Sequence, residues 1–280
     1  MIEKEPGFYR ESLWKYLANP GVNRSFLLDL LETCPGEAQW NLENLTVTDP
    51  MRLGDATHAA ILEPKRFERE YVVLPDNCKM GSGSGQRGRK ATFEEKAAAK
   101  GQTLVKGDDL QNIRQIQGVI EGDRYCIDLL SNGEAEVSGY YTEPENGVLC
   151  KFRADWINKG RQINVDLKTA ADVRPMIWRK SAYDHGYDIQ AFSTLRGMTI
   201  LTGVEHTDFR FICIKSKQYH GLKIYKADAD MLVSGQDRYF RALEIYARCM
   251  ESGVWDGYDS TPEFIGVPAF RKEQLINGGM

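Results

Sequence analysis

The chain is 280 residues long, 42% hydrophobic and 27% charged, with a formal net charge of −4. That length and apolar content support a full core in one large domain. A mildly acidic total excludes a protein that coats nucleic acid non-specifically, but leaves room for an enzyme with a local basic groove. The six cysteines (Cys34, Cys78, Cys126, Cys150, Cys213 and Cys249) are scattered with no C-x-x-C pair, so neither a zinc ribbon nor an iron–sulfur site is expected. No signal peptide and no apolar run of about 18 residues is read, which predicts a protein of the reducing cytoplasm with no membrane contact.

Phe8, Leu13, Trp14 and Leu17 recur at helical spacing, predicting a first helix that Asn19-Pro20-Gly21 stops. Ser25 can cap a second helix through Leu31, ended by Cys34-Pro35-Gly36. Asp49-Pro50 starts a third, Met51 to Leu62, which carries His58 and is closed by Glu63-Pro64. Residues 1–64 therefore read as an N-terminal helical extension. Residues 76–90, DNCKMGSGSGQRGRK, read as a flexible basic loop. It is either plain solvated chain or a mobile arm whose Arg87 and Arg89 touch phosphates.

A long helical pattern runs from about Gly107 to Leu130, followed by strands near 134–142, 148–157 and 162–168. Helices are expected near 174–183 and 187–201, strands at 208–214 and 221–225, and a helix from Ala227 to Met250. Residues 107–251 form the expected core, and residues 252–280, with Pro262, Gly266 and Pro268, an extended tail. No internal repeat is present. The order predicts one α/β domain over residues 1–280, with a central mixed sheet flanked by helices.

Most chemistry lies in VLCKFRADWINKGRQINVDLKT, Val148 to Thr169, which reads as two strands around a turn at Asn158-Lys159-Gly160. Alternation sets Cys150, Phe152, Ala154 and Trp156 on one face and Lys151, Arg153 and Asp155 on the other. On the second strand Ile163, Val165 and Leu167 oppose Asn164, Asp166 and Lys168. A hairpin brings Asp155 to the rim shared by Asp166 and Lys168. Two carboxylates and a lysine there can hold a divalent cation and activate water for phosphodiester hydrolysis. The same spacing also suits an ordinary surface hairpin. Lys151 and Arg153, with Arg174, Arg179 and Lys180 on the following helix, are spaced to set positive charge beside the carboxylates as DNA contacts.

GDATHAAILEP (54–64), KFRADW (151–156), VDLKTA (165–170) and YDIQA (187–191), in that order, resemble the PD-(D/E)xK nuclease superfamily. More narrowly, residues 25 to 250 are similar to the nuclease domain of the RecE, or exonuclease VIII, group of phage and prophage recombination exonucleases. The resemblance implies a restriction-endonuclease-like core with Asp155 and Asp166 as central metal ligands and the Leu167 carbonyl completing one site. It gives Lys168 the attacking water or the phosphate charge, His58 a metal-binding or positioning role, and Gln190 the ordering of the DNA end or of the lysine. Glu136 matches an acidic position before the first aspartate strand, although Glu134 competes for it. Many relatives carry a tyrosine four residues after the glutamine, where this chain has Thr194; Tyr183 or Tyr187 could substitute only from a neighbouring turn. Mg²⁺ suits carboxylates and water, and a histidine ligand also permits Mn²⁺. The group further implies a 5′-to-3′ exonuclease on linear duplex DNA, leaving 3′ overhangs for a RecT-type annealing protein. It implies a homo-oligomeric ring and a phage- or prophage-encoded gene. A restriction- or repair-type endonuclease, and a catalytically silent DNA-binding or assembly protein on the same fold, are the alternatives.

Overall fold

The computed structural model describes residues 4–73, 84–217 and 219–276. A six-stranded sheet runs in the order β1 (Gly7–Arg10), β4 (Glu134–Thr142), β5 (Leu149–Asn158), β6 (Ile163–Ala170), β7 (Asp208–Lys215), β8 (Leu222–Lys226). Its pairs are antiparallel except β6 with β7, which are parallel. That parallel pair needs a crossover, supplied by α9 (Pro175–Asp184) and α10 (Tyr187–Thr202). A second, two-stranded parallel sheet joins β2 (Tyr71–Val73) to β3 (Thr103–Val105). The expected mixed sheet flanked by helices is therefore present.

Each face of the large sheet has its own core. On one face Val137, Cys150, Phe152, Ala154 and Ile157 pack with α2 (Arg24–Glu32), α10 and α11 (Ala229–Ser252). On the other, Ile163, Val165, Leu167, Ile212 and Ile214 pack with α7 (Gly107–Gly122) and α8 (Arg124–Leu129). Two glycines let α10 lie unusually close to its neighbours. A Cβ on Gly197 would lie 2.6 Å from Phe152 and Tyr141, and one on Gly235 of α11 would lie 2.1 Å from the Asp188 carbonyl. Clamped this way, α10 presents Gln190 at a fixed height over the sheet.

Helix α4 (Asp49–Leu62) starts where Thr48 accepts from the Met51 amide, with Pro50 in its first turn. Ala56, Thr57, Ala59 and Ala60 are buried, and these small side chains bring the helix close to its neighbours. His58 rides between them.

Several boundaries differ from the sequence expectations. Phe8 is in the edge strand β1, opposite Gly139, and only Leu13–Ala18 (α1) is helical, because Ser12 caps it. Pro35 ends α2 but also opens α3 (Pro35–Glu43), a position proline favours. The pattern from Gly107 to Leu130 breaks at Asp123, whose carboxylate accepts from the Tyr125 and Cys126 amides and starts α8. Pro64 likewise opens α5 (Pro64–Glu70). The expected basic loop is helical from Ser84 as α6 (Ser84–Ala99); residues 76–83 lie outside the described residues. The extended tail ends in α12 (Ala269–Ile276). Among the described residues the five cysteines are buried free thiols, and no helix is long and apolar enough to cross a membrane.

Candidate active site

Strands β5 and β6 pair only at Trp156–Val165, Ile157–Asn164 and Asn158–Ile163. Beyond these, β5 stays with β4 and β6 with β7, so a wedge opens between them at Asp155 and Asp166. Glu136, at the position the β4–β5 register skips between Ala135–Trp156 and Val137–Ala154, has φ +52°, a left-handed conformation costly for a residue with a Cβ and one that clusters at functional sites. The alternation of β5 breaks here. Ala154 faces the α2–α10–α11 core, but Trp156 packs against the α7–α8 core and Ile157 returns to the first. Trp156 therefore does not share a face with Cys150, Phe152 and Ala154. The kink turns the Asp155 carboxylate into the wedge, where its Oδ2 accepts from the Leu167 amide at 2.7 Å. The N–H and C=O of one strand residue point to the same edge, so the Leu167 carbonyl is also directed into the wedge.

Helix α4 delivers His58 from above. Its Nδ1 lies 3.4 Å from Glu136 Oε1 and 3.5 Å from Asp155 Oδ2. One ligand atom from each of the three residues falls within 4.8 Å of the others. Asp166 is next to this group rather than in it: Gln190 Nε2 donates to its Oδ1, and Lys168 Nζ is 2.6 Å from its Oδ2. Glu136 Oε1 and Gln190 Oε1 are buried without an aligned hydrogen-bond donor, whereas Asp166 Oδ2 has the Lys168 ammonium beside it. Buried acceptors are normally satisfied, and the Glu136 and Asp155 carboxylates beside the His58 imidazole are a donor set that suits a small divalent cation.

The charges are tightly linked. Burial alone would lower the His58 pKa, but Asp155 and then Glu136 outweigh it and raise it well above the usual value. Burial works to raise Asp155, yet His58, Lys168 and the Leu167 amide bring it below the ordinary carboxylate range. Burial dominates at Asp166 and raises it, against the pull of Lys168. At Lys168 burial works downward, but Asp166 and Asp155 hold the ammonium in its charged form and raise its pKa. Without metal, His58 and Lys168 are the counter-charges of a buried carboxylate cluster.

The choice between the two glutamates resolves in favour of Glu136, which is 7% exposed. Glu134 points outward to Arg10 and Lys159. Two expected DNA contacts are corrected. Lys151 is buried, and its ammonium donates to the carbonyls of Tyr16, Leu17 and Asn19 at the end of α1. Arg153 donates to Glu136 Oε2, the Glu11 carbonyl and Ser138. Neither faces outward, because the N-terminal segment covers that part of β5. Arg174, Arg179 and Lys180 are exposed, Arg174 chelated by Asp172 and Lys180 paired with Asp184. The side chains of Arg87 and Arg89 lie outside the described residues.

Three neighbours take roles that the sequence did not assign to them. Arg153 braces Glu136, Tyr187 lies against Lys168, and Arg24 reaches the same ring. A 230 Å³ cavity opens beside Gln190, lined in part by Asn23, Arg24, Ser25, Ser193 and Thr194. Arg153 carried a signal through its place two residues before Asp155, and Tyr187 through its place three residues before Gln190; Arg24 is distant in sequence and reaches the site only through packing.

The family model described as a PDDEXK-like domain of unknown function (DUF3799) matches residues 25–263. Among solved structures, a protein provisionally named an exonuclease, from Eubacterium rectale, is 15% identical, with a TM-score of 0.63 over 97% of this chain and 100% of its own. A phage-related exonuclease from Haemophilus somnus 129PT is also 15% identical, with a TM-score of 0.32 over 86% of this chain and 100% of its own. No curated protein matches the chain.

Proposed function

Because the chain belongs to this PDDEXK-like family, we propose that it is a metal-dependent deoxyribonuclease, degrading one strand of linear duplex DNA from a 5′ end. The observation that carries the reading is the convergence of His58, Glu136 and Asp155 beside Asp166, Lys168 and Gln190, with buried oxygens left open for a cation. His58, Glu136 and Asp155 would hold the ion, with Asp166 and the Leu167 carbonyl close by. A bound Mg²⁺ or Mn²⁺ lowers the pKa of water and offsets charge on the phosphoryl oxygens.

The remaining work falls to the protein. Lys168 stays protonated between Asp166 and the opening of the wedge, where its ammonium stabilises charge developing on the phosphate. Gln190 fixes Asp166 through Nε2 and leaves Oε1 free to orient a water or a nucleotide group. Hydrolysis joins the water oxygen to phosphorus, the water giving up a proton to solvent, and breaks the P–O3′ bond, the leaving oxygen taking a proton from solvent. The exposed Arg174, Arg179 and Lys180 of α9, with Arg24 at the cavity, supply positive charge for the DNA backbone.

The exonuclease assignment and the 5′ polarity rest on the sequence resemblance. The Eubacterium rectale protein, provisionally named an exonuclease, supports the exonuclease part of that reading. The exposed 3′ strand would pass to a RecT-type annealing protein, and a ring of copies would keep the DNA attached between cuts. The test is digestion of end-labelled linear duplex with Mg²⁺ beside the same DNA as a closed circle. Release of the 5′ label as mononucleotide, with the circle intact, is expected. Cutting of the circle would establish an endonuclease, and metal-independent binding without cleavage a silent DNA-binding protein.

A further inference from the structure

The geometry points to Tyr187 as the residue that positions Lys168, holding its ammonium by the face of the aromatic ring; this rests on the nuclease reading above. Lys168 Nζ lies 4.6 Å from the centroid of the Tyr187 ring and 2.6 Å from Asp166 Oδ2. A lysine stem has several rotatable bonds, so placing its charge to a fraction of an ångström needs more than one partner. Asp166 is an unsteady partner, since a cation bound in the wedge competes for the same carboxylate. A ring face attracts the charge without presenting an oxygen that would take up the N–H donors.

The ring itself is well anchored. Tyr187 opens α10 directly after Gly186, whose φ of +64° turns the chain out of α9. Trp178 at 5.6 Å, Phe211 at 6.0 Å and His185 at 5.6 Å surround it. Its hydroxyl makes no hydrogen bond among the described residues, which assigns the role to the π-face rather than to the oxygen. Arg24 also approaches the ring, its guanidinium carbon 5.7 Å from the centroid, but is fixed separately by donating to the His185 carbonyl at 2.9 Å. Arg24 lines the cavity beside Gln190, so its loss should appear in DNA affinity, whereas displacement of Lys168 should appear in the rate at saturation.

The experiment replaces Tyr187 with phenylalanine and then with mono-, di- and trifluorophenylalanine, which keep the ring shape while draining its negative face. The readouts are kcat on saturating 5′-labelled linear duplex with Mg²⁺, DNA affinity in Ca²⁺, and the thermal midpoint. Phenylalanine should retain the rate. The log of kcat should fall stepwise along the fluorinated series, reaching about a tenfold loss, with affinity and midpoint nearly constant. Tyr187→Leu should lose at least as much. An inactive phenylalanine variant would move the role to the hydroxyl and overturn the proposal. A flat series in an enzyme whose unsubstituted form cleaves would make the ring mere packing and overturn this inference alone. Failure of the unsubstituted protein to cleave any DNA would overturn both readings.

Discussion

Asp155→Asn separates two jobs that one carboxylate performs. Asp155 Oδ2 is the acceptor for the buried Leu167 amide at 2.7 Å, and the same oxygen faces His58 in the candidate metal group. Asparagine is nearly isosteric and keeps an acceptor oxygen for the amide, but carries no charge for a cation. Alanine would orphan the amide as well, at a cost of about 1–3 kcal/mol. Globular proteins unfold with about 2.1 cal/mol/K of entropy per residue, so over 280 residues about 0.6 kcal/mol moves the midpoint by one degree. In EDTA, Asp155→Ala should therefore melt about 2–5 °C below the unsubstituted protein, and Asp155→Asn close to it. At a Mg²⁺ concentration about a hundredfold above its Kd, binding stabilises the native state by about 2.7 kcal/mol, or about 4–5 °C here. Both variants should lose that shift. Cleavage by Asp155→Asn should fall about a thousandfold, because the ion contributes several kcal/mol to the barrier. Scanning fluorimetry with and without Mg²⁺, beside release of a 5′ label, reads all of these. Turnover within tenfold of the unsubstituted enzyme, or a full Mg²⁺ shift in the asparagine variant, would refute the metal role of Asp155.

The other expectations concern its neighbours. Lys168→Ala should abolish turnover yet leave DNA affinity in Ca²⁺ unchanged, and Lys168→Arg should rescue only in part, since a planar guanidinium is wider than an ammonium and sets its charge elsewhere; a fully active arginine variant would show that the exact position of the charge does not matter. His58→Ala should raise the Mg²⁺ needed for half-maximal rate, and an unchanged titration would leave His58 as a packing residue of α4. Arg179→Gln should weaken binding to all DNA sequences alike and flatten the log–log salt slope by about one unit. Arg174→Gln should do less, because Asp172 already holds that guanidinium. If neither changes the salt series while neutralising Arg87 and Arg89 does, α6 and not the α9 region carries the DNA.

Local rules made much of this molecule legible. Turn residues at Asn158-Lys159-Gly160 and alternation on either side marked the β5–β6 hairpin, and Asp49-Pro50 and Glu63-Pro64 marked the two ends of α4. His58, Asp155, Asp166, Lys168 and Gln190 do meet at one end of the sheet. Charge, in contrast, was a poor guide to exposure. Lys151 and Arg153 alternate like solvent-facing residues, but an N-terminal strand and helix cover them. No property of β5 by itself announces that cover, since it depends on which segment docks there from more than a hundred positions away.

The kink at Glu136 was hidden for a related reason, and the site depends on it. Strict alternation would put Trp156 on the Cys150–Phe152–Ala154 face, yet it packs with its register partner Val165 over the α7–α8 core. The faces reverse between Ala154 and Trp156, where the neighbouring strand β4 carries Glu136 in a left-handed conformation. A glycine would adopt that φ at little cost, yet the chain places a glutamate there and holds it with Arg153 Nε at 2.9 Å. Arg153 is in turn fixed by the Glu11 carbonyl. The covering N-terminal segment therefore does more than close the core: it stabilises a strained backbone that turns two carboxylates toward one histidine. A sequence rule that treats each strand separately sees only the side chains, and here the function lies in the deviation between strands.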